Sequence, residues 1–211
     1  MPARAQSDRD TGLPRSYWPR PTGCREAVAV WGMTLPEMRD DLFRRLARGV
    51  ADRRSAFRTP ALVTAGGART IVLRAWDAPS RTVAIHSDVR AQKIGEIAAD
   101  PRVSMHVWDA GAQLQMRAWG RAAMADVATA DQAWGKLHSG SRASYRTVAT
   151  PGTPIADPAT LTLLDEDMAR GNFAALLIVL DVIEVLHLAR DGHRRARFSW
   201  TDAPISEWLV P

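Results

Sequence analysis

The sequence predicts a β-rich α+β fold, an antiparallel β-barrel with peripheral helices. Two observations carry this prediction. Most hydrophobic segments after Phe57 are short and alternate apolar with polar residues, which is the two-residue period of a half-buried strand. Turn residues such as Gly, Pro, Asp and Ser separate these segments at short intervals, which favours antiparallel neighbours over long parallel crossovers. The chain of 211 residues has room for one well-packed domain.

We expect residues 1–33 to form a partly disordered tail and residues 34–211 to form the single domain. The tail mixes arginine with proline and shows neither a helical nor a strand period. The domain begins where Thr34 and Glu37 have the spacing of a capping box. An amphipathic helix then runs to about Arg53, because apolar residues recur at helical spacing at Met38, Leu42, Leu46 and Val50.

The period changes to two after this helix. Residues 61–64 and 69–76 are predicted strands joined by a glycine turn, and residues 82–86 complete a three-stranded meander. The later elements are helices at 89–99, 129–137 and 161–169 and strands at 103–108, 113–124, 173–188 and 194–200. The strand over 113–124 has one core face and one face polar enough to bind a ligand, formed by Gln113, Gln115, Arg117 and Trp119.

Composition narrows the function. The chain has 28 Lys+Arg and a formal net charge of +5, and only Lys93 and Lys136 are lysines. Guanidinium suits phosphate and carboxylate recognition, although a GC-rich genome produces the same bias. A single cysteine, Cys24, excludes a disulfide framework, and the longest apolar run is far shorter than the ~20 residues of a membrane span. With one cysteine, a reducing, cytoplasmic setting is expected, without a membrane partner. Nucleic-acid binding is not expected either, because acidic residues are interspersed along the chain and no basic patch is concentrated.

Common catalytic signatures are missing. The sequence has no G-x-G-x-x-G after a strand, no P-loop, no H-E-x-x-H and no G-x-S-x-G. The five histidines lack metal-ligand spacing, so no metal site is expected. Any nucleotide site must therefore use another design, and redox chemistry would lie on a bound cofactor rather than on a catalytic side chain.

An ordered set of short motifs lies between residues 69 and 120. It comprises Arg69-Thr70-Ile71-Val72-Leu73-Arg74, His86-Ser87-Asp88-Val89-Arg90 with Lys93 three residues later, Asp100-Pro101-Arg102-Val103, and Gln115 followed by Gly120. The set resembles the pyridoxamine-phosphate oxidase family. In that family an Arg-x-Val-x-Leu-Lys strand, a Ser-Arg-Lys helix start, an Asn-Pro-Arg-Val strand and a Gln-x-x-x-x-Gly strand bind flavin mononucleotide (FMN) in a dimeric split barrel. The likeness is best over residues 42–120.

The resemblance implies a split barrel of the FMN-binding type, a homodimer with flavin at the subunit interface, and oxidation of a small substrate such as a vitamin B6 phosphate. The cofactor would contact Arg69, Thr70, Ile71, Val72, Leu73, Arg74, His86, Ser87, Arg90, Lys93, Gln115 and Arg197. The substrate would contact Arg74, Arg142 and Arg195, and Arg195 is also the register alternative to Arg197.

Elementary chemistry agrees with several of these assignments. A phosphate dianion needs charge-assisted donors, which Arg69, Arg90 and Lys93 can supply from a strand and a helix start. Gln115 offers both an amide donor and a carbonyl acceptor to a flavin edge, and Gln113 is its competitor on the same face.

Departures from the family leave alternatives open. Ala91 and Gln92 replace the Ser-Arg pair before Lys93, and a late family tryptophan is lost within residues 185–188. The alternatives are a split barrel that binds haem or a deazaflavin, and a flavin-binding module without catalysis.

Overall fold

A computed structural model of the chain describes residues 33–211. Its nine strands form one antiparallel sheet, and five short or medium helices lie around it. The predicted tail, apart from Met33, and Cys24 lie outside the described residues. The strands are β1 Ala61–Thr64, β2 Gly67–Thr70, β3 Leu73–Asp77, β4 Thr82–Asp88, β5 Arg102–Asp109, β6 Leu114–Met124, β7 Phe173–His187, β8 Arg194–Ser199 and β9 Ile205–Leu209. The helices are α1 Leu35–Ala51, α2 Gln92–Ala99, α3 Val127–Gly135, α4 Ser139–Arg142 and α5 Glu166–Ala169.

The predicted capping box at the start of α1 is confirmed. The Glu37 amide donates to the Thr34 hydroxyl, and the Thr34 amide donates to a Glu37 carboxylate oxygen at 2.7 Å. The apolar stripe of the helix is buried through Met38, Leu42 and Leu46. These contacts define the helix at both the cap and the core.

The sheet is consistent with the predicted split barrel. Its strand order is β2-β1-β5-β6-β7-β4-β3, and β8 and β9 extend from β7. The end strands β2 and β3 are separated along the chain by only Ile71 and Val72, so the two ends of the strand path must lie close together. The side chains that fill the inside include Leu62, Met105, Met116, Leu176, Ile178 and Phe198.

The predicted three-stranded meander is wrong. Residues 69–76 do not form one strand, because the chain breaks at Ile71 and Val72 and passes from β2, beside β1, to β3, beside β4. The alternation of apolar and polar residues indicates which face of a strand is buried, but it does not indicate which other strand pairs with it. The neighbour is set by β7, which spans 15 residues and takes β4 along its first half and β8 along its second.

Three other boundaries differ from the sequence prediction. The second helix begins at Gln92 rather than at residue 89, since Asp88 bonds the amide of Arg90 in a turn instead of capping the helix. The helix expected over 161–169 is only α5, because Leu163 and Leu164 pair with the chain at residues 146–147. Strand β9 was not predicted.

No helix in the described part of the chain combines the length and apolar character that a membrane span requires. Within the same residues, no cluster of His, Cys, Asp and Glu side chains is arranged to hold a metal ion.

Candidate functional site

Arg69, Ser87 and Lys93 form a cluster that we call the anion anchor. They come from β2, β4 and α2. The Lys93 Nζ donates to the Ser87 hydroxyl at 2.8 Å. Burial lowers the pKa of Lys93, and the positive charge of Arg69 lowers it further. The two cations therefore lie within electrostatic range of each other in a half-buried position, where an anion would relieve their repulsion.

The partners of Arg69 occupy one edge of its guanidinium. Its Nη2 donates to Glu96 Oε2 at 2.9 Å and to the Thr64 hydroxyl at 3.0 Å. Among the described residues, no acceptor binds its Nε or Nη1. Lys93 feels the carboxylates of both Asp88 and Glu96, and Asp88 is also paired with Arg90, so three cations meet two carboxylates here. The anion anchor keeps a net positive charge and a free guanidinium edge.

Arg90 lies beside the anion anchor, but other groups use its donors. Its guanidinium binds both carboxylate oxygens of Asp88, at 3.0 and 2.8 Å. It also donates to the backbone carbonyls of Thr147 and Val148, at 3.0 and 2.9 Å. The expected place in the first turn of a helix is wrong, because α2 starts two residues later. In the described chain, Arg90 fastens residues 147–148 to the barrel.

Arg74 is a cation without a partner among the described residues. It falls at an irregularity in the pairing of β3 with β4, between Leu73 and Ala75, and such bulges redirect side chains. Its Nε is buried and has no hydrogen-bond partner in the described chain. Arg74 also lowers the pKa of Arg58, after burial, so a second cation lies near it. An uncompensated, half-buried guanidinium is costly and indicates a place for an anion.

His86 shares this neighbourhood. Burial, and then the charge of Arg74, lower its pKa to about 4, so the imidazole is neutral at pH 7. Its Nδ1 is buried without a hydrogen-bond partner in the described chain, and its ring contacts Phe173 edge-on at 4.8 Å. The segment Thr70–Leu73 joins this neighbourhood to the anion anchor, with the side chains of Ile71 and Leu73 buried in the core.

An aromatic group borders Arg74 and His86. Tyr145 lies 5.1 Å from Phe173 and 5.8 Å from Trp134, measured between ring centroids. Burial raises the pKa of Tyr145, while Arg74 acts in the opposite direction, which indicates that these two groups are close. Arg142 stacks over Trp134 at 5.3 Å, but it donates to Glu166 at 2.8 Å and to the Trp134 carbonyl at 3.3 Å. Arg142 thus reaches the group with two of its nitrogens already used, while its Nε is buried without a hydrogen-bond partner in the described chain.

Gln115, Arg195 and Arg197 lie at another part of the sheet. Gln115 pairs in register with Leu186, and Leu186 pairs with Arg195. Ser87 of the anion anchor is in register with Ala174, twelve positions before Leu186 on β7. Twelve strand residues span up to ~40 Å. Through β1 and β5, however, Arg69 is only three strand spacings from Ala118, and Gln115 lies three residues beyond Ala118, so the two are ~18 Å apart across the sheet. Gln115 therefore does not contact the anion anchor within a single chain.

Gln113, the competitor of Gln115, is not on the strand. It has a positive φ of 50° in the turn before β6, and its side-chain amide donates to the Ala110 carbonyl at 2.7 Å. Gln115 is half-buried on the outward face of β6, as expected for that residue.

Several residues of these clusters were not singled out from the sequence. They are Thr64, Glu96 and Tyr145, together with Arg58 and Glu184. Glu96 carried a usable signal, since it follows Lys93 by three residues on one helical face. Glu184 also carried one, as an acid inside a long apolar strand. The other three depend on tertiary packing that no local spacing reports.

Comparison with known proteins finds a family match over part of the chain that includes the anion anchor. Residues 41–126 match the family model described as pyridoxamine 5'-phosphate oxidase, FMN-binding domain. This match confirms the resemblance inferred from the motifs. The chain has no match among curated protein sequences.

Solved structures share the fold. A pyridoxamine 5'-phosphate oxidase-related, FMN-binding protein from Nostoc punctiforme has a TM-score of 0.68 at 21% identity, covering 82% of this chain and 96% of that one. PhzG from Burkholderia lata, solved with tetrahydrophenazine-1-carboxylic acid, has a TM-score of 0.65 at 17% identity, covering 82% and 92%. At these identities the likeness supports the split-barrel fold of this chain.

Proposed function

We propose that this chain, whose residues 41–126 match the FMN-binding domain of the pyridoxamine-phosphate oxidase family, is an FMN-dependent oxidoreductase. The observation that carries the proposal is a half-buried group of three cations, Arg69, Arg90 and Lys93, that meets only two carboxylates, those of Asp88 and Glu96. A phosphate monoester carries a charge of about −1.5 to −2 at pH 7. It would supply the counter-charge that the anion anchor lacks.

We further propose that the active form is a homodimer. Arg69 of the anion anchor and Gln115 lie ~18 Å apart across the sheet by strand register, so they do not meet within a single chain. A twofold axis can place the first set of one protomer opposite the second set of its partner. The phosphate would then bind one subunit, while Gln115 of the other subunit reads the edge of the ring.

The residues around Arg74 suit an anionic substrate. FMN, when bound, supplies the acceptor for a hydride from the substrate. Arg74, reinforced by Arg58, would hold a phosphate or carboxylate of that substrate. Neutral His86 would add a hydrogen bond without adding charge. Phosphorylated B6 vitamers are the first substrates to test, since their phosphate would supply the anion that Arg74 lacks.

The test begins with the purified full chain and FMN. We expect flavin fluorescence to be quenched to one FMN per chain, and sedimentation to show a dimer. Anaerobic addition of pyridoxamine phosphate should bleach the flavin absorbance. A chain that acquires no flavin bands contradicts the proposal. A Soret band on addition of haem would favour a haem protein, and bound flavin that no B6 phosphate reduces would favour a non-catalytic module or another substrate.

A further inference from the structure

Glu184 is a buried carboxylate that lies between arginines. Its side chain is only 4% exposed, although it lies on the outward face of β7. It is in register with Arg117 on β6 and with Arg197 on β8, and Arg197 is in register with Glu207 on β9. Charges of alternating sign therefore cross four strands. Burial by itself would raise the pKa of Glu184, but hydrogen bonds from Arg195 and Arg197 bring it below its ordinary value.

The two arginines on β8 are bound to Glu184 unequally. Arg197 gives Oε1 two bonds, from Nε at 3.0 Å and from Nη2 at 2.9 Å, and its Nη1 donates to Glu207 at 3.1 Å. All three of its nitrogens thus serve carboxylates. Arg195 gives Oε2 a single bond, from Nη2 at 2.7 Å, and its side chain is 31% exposed against 16% for Arg197.

Arg195 is also the arginine that lines up with Gln115. The register Gln115, Leu186, Arg195 crosses three adjacent strands, so the outer two residues are ~10 Å apart. This spacing resembles the width of a planar ring system. Arg197 lies in the neighbouring register row, enclosed by Glu184 and Glu207.

We infer that Glu184 is a positioning residue for ligand binding. It fixes the side chain of Arg197 and holds one edge of the Arg195 guanidinium. The other edge of Arg195 then faces a flavin bound beside Gln115. Arg195, and not Arg197, is then the ligand-contacting arginine of this strand. The inference rests on the proposed function. The inference adds Glu184, which is not among the site residues implied by the family resemblance.

The experiment measures the FMN dissociation constant (Kd) of full-length variants. In Glu184→Gln one carbonyl oxygen remains, and an N–H donor replaces the second acceptor, so both arginines cannot be held. Loss of order in one long side chain is expected to raise the FMN Kd roughly five- to tenfold. Arg195→Ala should raise it at least as much. Glu207→Gln is the matched control, since it makes the same chemical change without touching Arg195, and its FMN Kd should stay within about twofold of wild type.

A double variant separates positioning from a structural role. If Glu184 acts through Arg195, adding Glu184→Gln to Arg195→Ala should change the FMN Kd by less than about twofold. A full additional loss in the double variant overturns the inference, and so does wild-type affinity in Glu184→Gln. Should Glu184→Gln fail to fold, Arg195→Ala alone decides, and unchanged FMN affinity in that variant refutes the inference. Wild-type protein that binds no FMN rejects the proposed function and the inference with it.

Discussion

Replacing Lys93 by methionine should weaken FMN binding without weakening the folded chain. The methionine keeps the length of the side chain and removes the charge. Without ligand, Lys93 is destabilised by burial and by Arg69, which together lower its pKa. A lysine whose folded pKa lies below its unfolded value of 10.5 costs stability while it is protonated, and Lys93→Met removes that cost with the charge.

The expected loss of affinity follows from the lost contact to the phosphate. A hydrogen bond to a charged group contributes about 1.5–3 kcal/mol, and the lower part of that range applies because Lys93 is only half-buried. A loss of about 1.5–2 kcal/mol raises the FMN Kd roughly 10- to 30-fold. The melting temperature without FMN should be unchanged or higher, because Ser87 keeps its bond to the Asp88 carbonyl at 3.0 Å.

Fluorescence titration and thermal melting, each with and without FMN, measure the two effects. Lys136→Met is the matched control, since Lys136 is the other lysine of the chain and is exposed. It should alter neither quantity. A Lys93→Met variant that binds FMN as tightly as wild type would refute the assignment of the anion anchor. A Lys93→Met variant whose melting temperature without FMN is well below that of wild type would refute the argument that the charge of Lys93 destabilises the chain without ligand.

Three further predictions follow from single contacts. Arg90→Ala should make residues 146–164 sensitive to limited proteolysis and leave the FMN Kd nearly unchanged. A large loss of FMN affinity would instead indicate that Arg90 contacts the phosphate. Gly120→Ala should lower the free energy of unfolding in urea by about 2–3 kcal/mol, because a Cβ there would lie 2.0 Å from the Val179 carbonyl oxygen, and an undiminished value would contradict that packing. Stability should fall as pH drops from 6.5 towards about 4, because unfolded His86 takes up a proton that the folded chain resists, and a His86→Gln variant should lose that part of the slope.

The sequence predicted the parts of the fold that depend on local chemistry. The capping box of α1 and the inward face of β6 are set by neighbouring residues, and both were found as expected. The crossing at Ile71 and Val72 was missed, because strand pairing is decided by residues more than a hundred positions away in β7. The strand β9 was missed because none of its five residues is buried, so it lacks the buried face that gives a strand its alternating pattern.

Sequence position identified the arginines of the site, but it could not show which of them still have donors available to bind a ligand. Arg90, Arg142 and Arg197 each donate to carboxylates or backbone carbonyls through two or three nitrogens. Arg69 and Arg195 are held through one nitrogen each, and Arg74 has no partner in the described chain.

A guanidinium whose donors are already used gains little from a phosphate, because a new bond must replace an existing one. A guanidinium held at one edge has lost much of its rotamer freedom and still offers the other edge, so it binds an anion at a lower entropic cost. Arg69 with Glu96, and Arg195 with Glu184, share this arrangement at the two separated parts of the sheet. In the proposed homodimer, each protomer would present ordered donors at both parts of the sheet to a ligand bound between the subunits.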